Sequence, residues 1–174
     1  MIRKFLRHLR YKKMIKGSSS FILEEFSTLI SEAISHFEKE GKIQNQSHKE
    51  FIKFESTILI FWLFQKTDIF PPAIQKLILD EVHNQYFLGL KKHGYDFNMR
   101  QAVSDEFNQR YRAYNDVYEN HNDLSGIGTK FVKFLSEKSE TESEIKDIFI
   151  PMYLIEQATP KLKEFRSVTH SVIQ

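Results

Sequence analysis

The chain has 174 residues, 25 of them Lys or Arg and 23 Asp or Glu, with sixteen Phe, six Gly, four Pro and no Cys. That length suits one domain with a single core. The lack of cysteine excludes disulfides, thiolate nucleophiles and Cys-based metal centres, and fits a reducing, cytoplasmic compartment. Few breakers and many long side chains predict an all-α fold, a single-domain bundle of five or six main helices preceded by a basic amphipathic helix.

Residues 1–16 hold Arg3, Lys4, Arg7, Arg10, Lys12, Lys13 and Lys16 and no acid, a charge of +7; the remainder has eighteen basic and twenty-three acidic residues, a charge of −5. At helical spacing Ile2, Phe5, Leu6 and Leu9 form one narrow apolar stripe in this segment. Gly17 and the serines at 18–20 predict a flexible joint, which divides the chain into an arm (1–16), a joint (17–20) and a bundle domain (21–174). The first bundle helix turns Ile22, Phe26, Leu29, Ala33 and Phe37 inward and stops at Gly41.

Ser47 with Glu50 reads as a capping box opening a helix over 48–66. Its core, FIKFESTILIFWLF at 51–64, is the most apolar stretch of the chain. It is shorter than the roughly 20 residues that span a bilayer and is interrupted by Lys53 and Glu55, so it reads as a buried core helix. Pro71-Pro72 starts the next helix, which ends near Gly89–Gly94. Asn98 with Gln101 reads as the cap of a helix that carries Val103, Phe107, Tyr111, Tyr114 and Tyr118 on one side. Residues 120–128 read as a loop before a short helix at 130–137. Residues 136–147 read as an exposed connection, with Thr141 and Glu144 capping the last long helix; Pro151 should kink or restart that helix, and Pro160 should begin a final short one. Seven or eight helical segments follow from these boundaries.

Four polar residues fall on faces that the wheel assigns to the core. Glu55 lies between Phe51, Ile58, Leu59 and Trp62, where an ionised group is costly unless it is paired or hydrogen-bonded. Glu81 and Gln85 share a face with Ile74, Ile78 and Leu88, and Glu156 flanks Ile145, Met152 and Thr159. Such carboxylates could form an acid/base pair or a metal site in a bundle. The simpler reading is that Arg100, Arg110 or the tyrosines answer them. Glu-x-x-His spacing is absent; Asp80 and His83 come nearest, and they lie away from the face of Glu81. Gly126-Ile127-Gly128-Thr129-Lys130 lacks the spacing of a phosphate-binding loop, and its glycines read as letting a helix start close to its neighbour. No catalytic motif, metal site or cofactor is indicated.

The functional expectation is a non-enzymatic interaction protein. Its body would bind a protein partner. Its arm, through Ile2, Arg3, Lys4, Phe5, Leu6, Arg7, Leu9 and Arg10, would contact a partner or lie peripherally on an anionic membrane surface. The alternatives are a ligand-binding or enzymatic bundle using Glu55 and Glu81, and nucleic-acid contact through the arm alone, since an acidic body argues against a wider nucleic-acid surface. The Phe content also allows self-association. Arg richness, the lack of acids and the serines that follow also match an organelle transit peptide, whereas the pattern of a secretory signal is absent.

Overall fold

The computed structural model describes the backbone of residues 2–43, 45–67, 69–121, 124–138 and 149–173, with the side chains of 2–10, 121, 124–125, 138 and 165–173 outside the description. The fold is an all-α bundle of six helices among the described residues: α1 (Ile2–Lys39), α2 (Gln46–Lys66), α3 (Pro72–Lys92), α4 (Phe97–His121), α5 (Leu124–Lys138) and α6 (Phe149–Ile173).

The apolar helix at 46–66 is the hub. Every residue from Glu55 to Phe64 is buried, and α2 packs against each of the other five helices. A helix that is apolar all round can be satisfied only in this way. The Phe61 ring meets Phe26, His83, Tyr86 and Phe107 at centroid distances of 6.2, 5.2, 5.8 and 6.0 Å, so helices α1, α3 and α4 share one aromatic core around it. The inward stripe expected for the first bundle helix is present, with Ile22, Phe26, Leu29, Ala33 and Phe37 all buried.

The joint predicted at 17–20 is instead helical, and α1 runs unbroken for 38 residues, about 57 Å at the α-helical rise. The physical reason lies in the third dimension. Ser19 is fully buried, and its hydroxyl donates to the Ile15 carbonyl (2.8 Å) and reaches the Ile78 carbonyl of α3 at 3.2 Å. Contact with α3 thus outweighs the weak local helix preference of Gly17 and the serines. Ile15 is also buried, so the core begins before the expected arm boundary at residue 16.

Two caps lie upstream of the expected ones. Asn45, not Ser47, caps α2 by accepting from the His48 amide at 2.8 Å, while Gln46 binds Glu50. Asp96, not Asn98, caps α4 by accepting from the Met99 amide at 2.8 Å. In each case the earlier Asn or Asp presents its carboxamide or carboxylate to the third residue on, the same geometry two residues sooner. The exits agree with expectation. At Gly41 (φ 68°) the Lys42 amide donates to the Phe37 carbonyl, and at Gly94 (φ 89°) the Tyr95 amide donates to the Leu90 carbonyl. Both are glycine-terminated Schellman ends.

Helix α5 begins at Leu124, within the stretch read as a loop, so Gly126 and Gly128 are helical. A Cβ at Gly126 would lie 2.6 Å from Val117 Cγ1 of α4, so this glycine sets the close approach of the two helices, as the sequence suggested. Pro151 occupies the first turn of α6, where no intrahelical donor is lost. Pro160 neither starts nor ends a helix; it sits exposed within α6, where water can reach the carbonyl that proline leaves unpaired. The Thr141–Glu144 cap and Ile145 lie outside the described residues.

Candidate functional site

Glu55 meets its counter-charge from the aromatic helix. Arg110 of α4 donates from Nε to Oε1 at 3.1 Å and to Oε2 at 3.3 Å, and the two residues are 3% and 1% exposed. The remaining guanidinium surface is also occupied. Nη1 donates to Gln109 at 3.0 Å, and the guanidinium carbon sits 3.8 Å from the centroid of the Phe134 ring of α5. A buried carboxylate held by a charge-assisted hydrogen-bonded pair and capped by an aromatic face is compensated in place. Beside it, burial and the charge of Glu55 push the Tyr114 hydroxyl well above the ordinary tyrosine range, and that hydroxyl lacks a hydrogen-bond partner among the described residues. It is a packed phenol, fixed in its neutral form.

The other carboxylates do not join Glu55 in one site. Glu81 is half-buried and accepts from Gln85 at 3.1 Å, while Gln85 reaches the Lys16 carbonyl and accepts from Ser20 of α1. This pair belongs to the α1–α3 seam. Leu88, expected inward beside it, is 47% exposed. Glu156 is exposed on α6, because the helix buries the stripe Ile150, Leu154, Ile155, Ala158 and Leu162 and turns Met152 outward with it. The three carboxylates read as inward from the wheel therefore occupy a core, a seam and a surface. Among the described residues no group of three or more His, Asp or Glu is placed to hold a metal ion.

His83 is locked by two neighbours. Its Nδ1 lies 2.9 Å from the Leu79 carbonyl and its Nε2 2.9 Å from the Tyr111 hydroxyl. A carbonyl can only accept, so Nδ1 carries the proton and Nε2 accepts from tyrosine. Burial lowers the pKa of this imidazole, which favours that neutral form.

Gln75 was missed as a key residue. It is buried, accepts from the Ile69 and Phe70 amides at 3.2 Å each, and donates to the carbonyls of Phe64, Gln65 and Thr67. A single carboxamide thus satisfies the frayed end of α2 and the turn into α3. Its signal in sequence was faint: a glutamine three residues inside a helix that Pro72 begins.

The exposed cations are different. Lys12, Lys13 and Lys16 are exposed on α1, Lys91 and Lys92 on α3, and none of them enters an ion pair among the described residues. The side chains of Ile2, Arg3, Lys4, Phe5, Leu6, Arg7, Leu9 and Arg10 lie outside the described residues, although their backbone continues α1. The open concave stretches on α1 (Glu24 to Lys39) and on α4 (Asp105 to Asp116) are lined by neither Glu55, Glu81 nor Glu156.

Fold and polar core together define the class: an all-α bundle around a central apolar helix, with its buried ion pair answered internally. No protein-family model, curated protein or solved structure matches the chain.

Proposed function

We propose that the protein is a non-catalytic interaction protein that lies peripherally on an anionic membrane surface, using the basic N-terminal segment of α1. The observation that carries this reading is the continuity of α1. The +7 segment is not a separate tail but the first part of a 38-residue helix anchored to the body at Ile15 and Ser19. A cationic segment that continues a helix of the body needs no separate helix nucleation on contact, and each lysine or arginine brought near an anionic bilayer contributes about 1 kcal/mol. No helix among the described residues is long and apolar enough to cross a membrane.

The enzymatic alternative rests on Glu55 and Glu81; it is the weaker reading because Arg110 engages Glu55 in the core while Glu81 lies apart, in the α1–α3 seam. Co-sedimentation with phosphatidylcholine vesicles, with and without 30% phosphatidylserine, at two salt concentrations tests the proposal. The intact protein should sediment with the anionic vesicles at low salt and be released at high salt. A variant with Arg3, Lys4, Arg7 and Arg10 changed to Glu should sediment far less at the same protein and lipid concentrations. If that variant binds like the parent, the arm is not the membrane contact. If neither form binds, the membrane reading fails.

A further inference from the structure

The exposed apolar residues are unevenly spread. Of the nine large hydrophobics more than a third exposed among the described residues, four fall within residues 88–99: Leu88 (47%), Tyr95 (41%), Phe97 (70%) and Met99 (53%). They sit on the last turn of α3, the tight turn at Gly94 and the first turn of α4. Lys91, Lys92, His93 and Arg100 flank them along the chain, and the only acid within 88–100 is Asp96, whose carboxylate is engaged in capping α4. This is an aromatic tip flanked by cations.

Helix α1 contacts α3 upstream of this tip: Ser19 reaches the Ile78 carbonyl, and Gln85 lies between the Lys16 carbonyl and the Ser20 hydroxyl. The cations that belong to the tip are therefore its own, Lys91, Lys92, His93 and Arg100.

We propose that the α3–α4 tip is a hydrophobic anchor that inserts Phe97, Met99 and Tyr95 into the interfacial layer of an anionic bilayer while Lys91 and Lys92 meet the headgroups. This rests on the membrane reading of the basic segment and adds a second, apolar contact to it. Charge complementarity selects the occupant. The core of a protein interface is depleted of lysine, whereas exposed aromatic side chains flanked by lysines match the layered polarity of a bilayer surface, apolar below and anionic above. Electrostatic attraction and apolar insertion together give stable anchoring where either alone is marginal.

The absence of cysteine allows a direct test in the full chain. A Met99→Cys variant labelled with the environment-sensitive dye NBD should brighten and shift to the blue on phosphatidylserine-containing vesicles. The same label at Ser31→Cys, on the exposed middle of α1, should not respond. A Phe97→Ser/Met99→Ser double variant should bind those vesicles on the order of tenfold more weakly, from the apolar burial lost, and keep the parent's salt dependence. Reversal of Arg3, Lys4, Arg7 and Arg10 should instead flatten the salt dependence and spare the Met99 label response at high protein concentration. If the double variant binds like the parent and the Met99 label stays silent while the protein sediments, the tip is not an anchor and the arm reading survives. If charge reversal leaves binding unchanged and the double variant abolishes it, the arm reading fails and the tip stands. Failure of the intact protein to bind overturns both.

Discussion

The Glu55–Arg110 pair and the α3–α4 tip are opposite solutions to having polar and apolar groups in unusual places. In the first, charges lie in the core and nearly every valence is met: two carboxylate oxygens on one guanidinium nitrogen, a second nitrogen on Gln109, and the cation face on Phe134. In the second, apolar side chains lie in water and the lysines flanking them are unpaired among the described residues. A charge answered inside the fold contributes to specificity of packing. Charges and aromatic rings left unanswered at one end are free to be answered from outside.

The sharpest way to break this comparison is at its buried half. Arg110→Ala should destabilise the protein by about 3–5 kcal/mol, because it strands a buried carboxylate, whereas Glu55→Leu combined with Arg110→Met should recover most of that loss. Urea unfolding of the two variants measures this; equal destabilisation would mean that the pair contributes more than mutual compensation. Next in size, Gly126→Ala forces a methyl against Val117 and should cost about 1–3 kcal/mol, with Val117→Ala relieving the clash in the double variant.

A smaller effect follows from His83. Its pKa is lowered in the folded protein, chiefly by burial and against the backbone hydrogen bond to Leu79 and the charge of Asp80. As pH falls below the ordinary histidine value near 6.5, the unfolded chain takes up a proton that the folded state resists. The contribution of His83 is therefore complete above that pH and lost as acid is added. Comparing urea midpoints at pH 7.5 and 5.0 should show a larger fall for the parent than for His83→Gln. The smallest stability effect belongs to the exposed end. Changing Lys91 and Lys92 to Gln should move stability by no more than about 0.5 kcal/mol per site while weakening vesicle binding, which separates docking from folding.

Much of the core was legible from periodicity alone. The stripe from Ile22 to Phe37, the apolar helix at 51–64 and the row from Phe107 to Tyr118 each pointed the way the fold buries them. For Glu55 the sequence offered Arg100, Arg110 or the tyrosines as partners, and the fold selects Arg110, which stands three residues after Phe107 and four before Tyr114. The readings that failed were those in which one wheel carried too little apolar contrast. Glu156 was assigned to a stripe through Met152 and Thr159, whereas the denser stripe from Ile150 to Leu162 controls which way α6 turns.

Sequence by itself determined the helical class, the hub helix, the glycine stops and the presence of a buried carboxylate that required a partner. Each of these is set within one helix turn or one run of side chains. Tertiary structure alone decided that Arg110 is the partner, that residues 17–20 stay helical, and that Gln75 closes the α2–α3 turn. These depend on which helices lie side by side and in which direction. That is fixed by the summed burial of many faces against one another, a quantity that no single stretch of the chain contains.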